Sequence, residues 1–185
     1  QINRDNVGEL RLAWVWSMSD IASNQTSPLV HDGIVYLFNP GNRIQALRGD
    51  TGELVWEQSL GGRAGTMRGI AIYEDNLIIN TPDGEIVAVS AVDGEEAWRI
   101  RIAEGLTNTS GPIVGNGKIF TGSANCTTFK EQKCFVSAYD ARDGRVLWRF
   151  NTVAQTGEPG GDTWGGVDDL FRTGTDTWIT PSFDA

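Results

Sequence analysis

Short apolar runs separated by polar turns fill this chain, and no stretch carries the period of an amphipathic helix. Residues 29–30, 34–38, 44–47 and 54–57 read as four strands rich in β-branched and aromatic side chains. The same order returns at 70–72, 77–79, 86–89 and 97–100, and again at 112–114, 118–121, 135–139 and 146–150. A further unit opens at 178–180 and is cut short at Ala185. The last two runs of each complete unit hold one motif: Ala46-Leu-Arg-Gly-Asp-Thr-Gly52-Glu-Leu-Val-Trp56, Ala88-Val-Ser-Ala-Val-Asp-Gly94-Glu-Glu-Ala-Trp98 and Ala138-Tyr-Asp-Ala-Arg-Asp-Gly144-Arg-Val-Leu-Trp148. Each reads as strand, tight turn, strand, with Gly taking a positive φ at little steric cost.

The three Trp residues are 42 and 50 residues apart, close to the roughly 40–50 residues of a four-stranded propeller blade. The fold class that follows is all-β, a β-propeller. The blades lie near 27–60, 68–103 and 109–151, with a fourth starting near 176–185. Trp56, Trp98 and Trp148 are expected in equivalent, buried positions between blades. A propeller closes with about four to eight blades, so about three and a half are expected to be the N-terminal part of a longer chain. Assembly with other chains is the alternative.

A net charge of −9 and a pI near 4.5 exclude a nucleic-acid surface, which needs clustered Lys and Arg. No apolar stretch is long enough to cross a bilayer. Cys126 and Cys134 bracket a polar loop within the third unit, a spacing suited to a disulfide in an oxidising compartment, with two free thiols as the alternative. A zinc site is not expected, because His31 is the only histidine and fits a hairpin turn.

The opening Ile2-Asn3-Arg4-Asp5-Asn6-Val7 through Ala13-Trp14, the three repeats, Arg68-Gly69-Ile70-Ala71, Thr109-Ser-Gly-Pro112 and Gly174-Thr-Asp-Thr-Trp178 occur in the order found in one family. Together they resemble the N-terminal half of the pyrroloquinoline quinone (PQQ) dependent alcohol dehydrogenases, and the likeness covers essentially the whole chain. The resemblance implies an eight-bladed ring with PQQ near its axis, beside a Ca²⁺ or lanthanide ion. It implies that Trp178 is the aromatic floor under the planar quinone. Arg68 and Thr109 would hold its carboxylates and carbonyls, for which a planar, permanently charged guanidinium is well suited. Gln25, in Asn24-Gln25-Thr26-Ser27-Pro28, stands where relatives place a polar contact to a PQQ carboxylate.

The chain also departs from that pattern. Many relatives cap PQQ with adjacent cysteines a few residues before the arginine, whereas residues 60–67 here contain none. Relatives present a metal-binding Glu after the Gly-Ser turn of the third blade; here Gly122-Ser123-Ala124-Asn125-Cys126 leads into the cysteine-bounded loop. Glu131 is the only carboxylate in that loop and is the expected ligand, the others being expected beyond Ala185. The loop 156–169 offers Trp164 as a channel wall and Asp162, Asp168 and Asp169 as cation ligands, or else serves as a solvated connector.

By resemblance the reaction is oxidation of a small-molecule alcohol to an aldehyde or ketone in the periplasm. Electrons would pass to an acceptor such as a cytochrome c or a quinone. The base, an Asp in relatives, has no counterpart here. The other class of function that fits the repeats is a non-catalytic PQQ-like-repeat propeller that binds proteins, as in outer-membrane assembly lipoproteins. Such a scaffold has no need of Arg68, Thr109 and Trp178 in register around an axial pocket.

Overall fold

The computed structural model describes residues 2–18, 23–126 and 129–184. Among these, three four-stranded antiparallel sheets follow one another along the chain. Blade one consists of β1 (Leu29–His31), β2 (Ile34–Asn39), β3 (Arg43–Arg48) and β4 (Leu54–Ser59). Blade two has β5 (Ala71–Tyr73), β6 (Asn76–Thr81), β7 (Glu85–Ser90) and β8 (Glu96–Arg101). Blade three has β9 (Ile113–Gly115), β10 (Lys118–Gly122), β11 (Phe135–Asp140) and β12 (Val146–Asn151). The expected all-β propeller architecture is therefore present, as an open stack of blades.

The blades are held face to face by the central strands. Side chains alternate between faces along a strand, so a strand covered on both sides becomes an unbroken apolar run. In blade two, Leu77, Ile79, Val87 and Val89 pack with Phe38, Ile44 and Ala46 of blade one. The intervening Ile78, Ile86 and Ala88 pack with Ile119, Phe135 and Tyr139 of blade three. This explains why 77–79 is continuously hydrophobic while outer strands such as β4 are not.

The Ala-to-Trp motif forms the last hairpin of each blade. Ala46 pairs with Trp56, Ala88 with Trp98 and Ala138 with Trp148, with a register irregularity directly after each Ala. Gly52, Gly94 and Gly144 take φ of 74°, 80° and 73°, and each donates its N–H to the carbonyl four residues earlier. These glycines also receive the preceding Trp. A Cβ on Gly52 would lie 2.7 Å from the Trp14 ring, one on Gly94 2.6 Å from Trp56, and one on Gly144 2.9 Å from Trp98. Trp14 Nε1 donates to Gly49 O at 2.9 Å and Trp56 Nε1 to Ala91 O at 3.0 Å, while Trp98 Nε1 has no acceptor among the described residues.

Two expectations need correction. Trp148 is 44% exposed and is not equivalent to Trp56 and Trp98, because no further turn glycine follows to receive it among the described residues. The strand expected at 178–180 is not formed. A strand requires a hydrogen-bonded neighbour, and this segment instead spends its polar groups on blade three. Thr177 N donates to Ser123 O at 2.9 Å and Gly111 N to Thr180 Oγ1 at 3.0 Å, while Phe183 stacks on Phe120 with centroids 5.8 Å apart.

Candidate cofactor site

The first strand of each blade is preceded by an irregular lead-in segment, and three lead-ins plus the C-terminal segment are tied together in sequence order. Thr26 Oγ1 donates to Met67 O at 2.9 Å, Arg68 Nη1 to Thr109 O at 2.9 Å, and Gly111 N to Thr180 Oγ1. The glycines of the Arg68-Gly69 and Ser110-Gly111 pairs make this approach possible. A Cβ on Gly111 would stand 2.5 Å from Thr180 Oγ1 and 3.0 Å from the Gly69 backbone. Only hydrogen in those positions lets the segments touch.

Arg68, Thr109 and Trp178 meet at this junction. The Arg68 guanidinium carbon is 4.6 Å from the centroid of the Trp178 ring, within cation–π range. The ring is 45% exposed. Thr109 contributes its backbone carbonyl, and no hydrogen bond of its hydroxyl is formed with the described residues. Gln25 is exposed and makes no hydrogen bond with the described residues, although its neighbour Thr26 belongs to the same chain of contacts.

Under Thr109 lies a polar cluster that the sequence reading missed. Asn80 Nδ2 faces Ser110 O at 2.7 Å, Thr121 Oγ1 at 2.7 Å and Asn108 Oδ1 at 3.2 Å, and the Ser110 and Thr121 hydroxyls are 3.0 Å apart. Asn80, Asn108, Ser110 and Thr121 are all buried. The two residues flanking Thr109 are thus fixed to blades two and three. A lone Asn closing an apolar strand was the only signal available beforehand.

Glu131 is exposed and makes no ion pair or hydrogen bond with the described residues. The only group of three potential metal-binding side chains among those residues is Cys126, Cys134 and Asp176. Cys126 and Cys134 form the expected disulfide, with Cα atoms 5.4 Å apart, so their sulfurs are not thiolate ligands. Among the described residues no other three carboxylate, imidazole or thiol groups converge. Loop 156–169 is organised around the buried Arg172, whose guanidinium donates to Val167 O and Ala154 O and pairs with Asp169 at 3.0 Å. Asp169 also accepts from Thr156, and Asp168 accepts from Leu170 N. Those two carboxylates serve the loop itself, and Trp164 lies 5.7 Å from the Arg172 guanidinium. His31 is the last residue of β1, directly before the Asp32-Gly33 turn and 3.5 Å from Asp32, so the expected turn position is off by one residue.

A planar plate with a guanidinium against it suits a flat, multiply carboxylated aromatic ligand. In line with this chemistry, residues 1–185 match the family model described as PQQ: glucose/ethanol/alcohol dehydrogenase, beta-propeller domain. The chain belongs to this family of PQQ-dependent dehydrogenase propellers. It is 33% identical over 166 residues to the quinohemoprotein alcohol dehydrogenase ADH-IIG of Pseudomonas putida, covering 83% of this chain and 23% of that protein. The solved structure of ADHIIG from Pseudomonas putida HK5 superposes over 100% of this chain and 30% of that one, with a TM-score of 0.85 and 26% identity. A europium-containing methanol dehydrogenase aligns with a TM-score of 0.73 and 27% identity, over 83% of this chain and 29% of that one. The chain thus spans about a quarter of the length of the curated relative. Among the described residues no helix is long and apolar enough to cross a membrane.

Proposed function

We propose that this chain supplies part of the PQQ site of a periplasmic alcohol dehydrogenase. The observation that carries the reading is the contact of Arg68 with both Trp178 and the Thr109 carbonyl, in a chain belonging to the PQQ family. Trp178 forms the floor on which the quinone rests. Arg68, with donors left beyond the one used on Thr109, takes up a carboxylate of the quinone and holds its orientation by charge-assisted hydrogen bonds. Thr109 offers its hydroxyl, and Gln25 reaches in from the lead-in to blade one. When bound, PQQ accepts the two electrons that leave the alcohol as it becomes an aldehyde or ketone. Electrons then pass to a cytochrome c or a quinone. The disulfide agrees with an oxidising compartment.

Relatives of this class include a europium-containing enzyme. Glu131 is the carboxylate this chain would offer to a Ca²⁺ or lanthanide ion, with further oxygen ligands supplied from elsewhere in the full-length protein. The test is titration of the full-length apoprotein with PQQ, with and without Ca²⁺ or a lanthanide, followed by dye-linked oxidation of a panel of alcohols. Binding with oxidation supports the reading. Absence of both favours a protein-binding scaffold.

A further inference from the structure

We propose that Asp176 is a positioning residue for the Trp178 plate and that the Cys126–Cys134 disulfide acts through it. The inference rests on the reading of Trp178 as a cofactor floor, and it adds what holds that floor in place. Trp178 is half exposed, so packing alone does not fix its ring. Its backbone is fixed from the residues before it. Asp176 accepts from the N–H of Asn125 at 3.2 Å and of Cys126 at 3.4 Å, and its Oδ1 lies 3.2 Å from Cys134 Sγ. Thr173 donates its hydroxyl to Cys126 O, and Thr177 exchanges hydrogen bonds with Ser123. Apart from the Thr152 hydroxyl on Thr175 O, the side-chain hydrogen bonds of the segment 173–177 fall on residues at or close to the disulfide-closed loop.

Both sides of the Asp176 contact have left-handed backbone, which Asn125 tolerates and which is unfavourable for Thr175. Thr175 has φ of 56° and Asn125 φ of 66°. A positive φ is a true outlier for a β-branched residue such as Thr, and such strain persists only where the surroundings impose it. Here the imposing groups are the Thr152 hydroxyl, which donates to Thr175 O at 2.9 Å, and the Asp176 carboxylate on the next residue. Closing residues 126–134 into a loop keeps the Asn125 and Cys126 N–H groups aimed at that carboxylate. Without the loop, the lead into Trp178 relaxes toward an ordinary backbone and the plate shifts away from Arg68.

The decisive experiment is a cycle in the full-length protein. Asp176→Ala is made in the parent and in Trp178→Ala, and PQQ affinity is measured by titration. Asp176 is exposed, so folding is not at risk. Loss of about tenfold in the parent and less than about twofold in the Trp178→Ala background is expected, because coupled residues are not additive. Asp176→Asn, which keeps one acceptor oxygen, should recover part of the loss. Acrylamide quenching of Trp178, read as the difference between the parent and Trp178→Phe, gives a second readout that needs no cofactor. Asp176→Ala and the Cys126→Ser/Cys134→Ser pair should each raise it, and the combination should raise it no further. Equal affinity losses in both backgrounds, or unchanged quenching, would overturn the proposal. If the parent does not bind PQQ, the cofactor reading fails and the quenching cycle still decides whether Asp176 positions Trp178.

Discussion

The guanidinium of Arg68 lies against the face of Trp178, 110 residues away in sequence, and reaches the carbonyl of Thr109 with one of its N–H groups. The cation and the plate are therefore one unit. Arg68→Ala and Trp178→Ala should each weaken PQQ binding to the full-length protein by about 1–3 kcal/mol. Because they touch, the double variant should lose less than the sum of the two. Isothermal titration of the four proteins checks this, and strict additivity would mean that the contact is incidental.

Gly111 should tolerate no side chain. Its Cβ would enter the space of Thr180 Oγ1 and the Gly69 backbone, so Gly111→Ala must push two lead-in segments apart. A cost of about 1–3 kcal/mol is expected from overpacking, with a loss of PQQ affinity. Gly8, with open space around it, serves as the control: Gly8→Ala should stay within about 0.5 kcal/mol. Chemical denaturation gives both values.

The blade interfaces make a parallel prediction. Gly94 combines φ of 80° with a Trp56 ring atom 2.6 Å from where its Cβ would stand. Gly94→Ala meets backbone strain and a clash together, so it should destabilise by at least about 2 kcal/mol. Trp56→Phe, which keeps an aromatic ring but removes the hydrogen bond to Ala91 O, should cost only about 1 kcal/mol. Thermal melts of the two variants should rank in that order.

Much of this was legible in the sequence because each unit repeats the same solution. Ala46, Gly52 and Trp56 recur as Ala88, Gly94 and Trp98, and the structure gives each set the same pairing and turn. Trp14 does the same job at Gly52, yet it closes no Ala-to-Trp hairpin, so the resemblance of the opening segment marks it and the repeat does not. Trp148 carries the full pattern and still lacks its neighbour, because a motif records what a residue is built to meet and not whether the partner is at hand. Within the site, Arg68 and Trp178 stand out through resemblance. Asn80 and Asp176 act through contacts with residues 28 to 51 positions away, which no local period reports. Glu131 was read from its place in the cysteine-bounded loop after the Gly122-Ser123 turn, and it stands exposed at the surface.

Acid should loosen the turn of blade three. Hydrogen bonds from the Arg142 side chain and backbone, with Arg142 and Arg145 charge nearby, hold the Asp140 carboxyl well below the usual carboxylate range. A depressed folded value stabilises the fold above the unfolded value, near 3.9. That contribution falls away as pH drops below about 4 towards the folded value. Asp50 beside Arg48 shifts in the same direction. Urea unfolding between pH 6 and pH 2 should show declining stability below about pH 4. Arg142→Ala should flatten that decline, and an unchanged profile would rule out the pair as its source.

Asn80 offers the sharpest test of how the site is supported from beneath. Its amide donates to the Ser110 carbonyl and to the Thr121 hydroxyl at 2.7 Å each, and it is the only donor to that carbonyl among the described residues, inside a cluster closed to solvent. Asn80→Ala leaves the Ser110 carbonyl buried with nothing to accept from, a desolvation cost of about 1–3 kcal/mol. Asn80→Asp keeps the shape but turns a donor into a carboxylate facing acceptor oxygens, and burying such a charge costs more still. Stability should therefore fall in the order Asn, Ala, Asp. Since Ser110 adjoins Thr109, whose carbonyl steadies Arg68, Asn80→Ala should also weaken PQQ binding in the full-length protein. The loss should shrink in an Arg68→Ala background, where the Thr109 carbonyl has nothing left to steady. An equal loss in both backgrounds would show that Asn80 serves the blade stack and not the guanidinium.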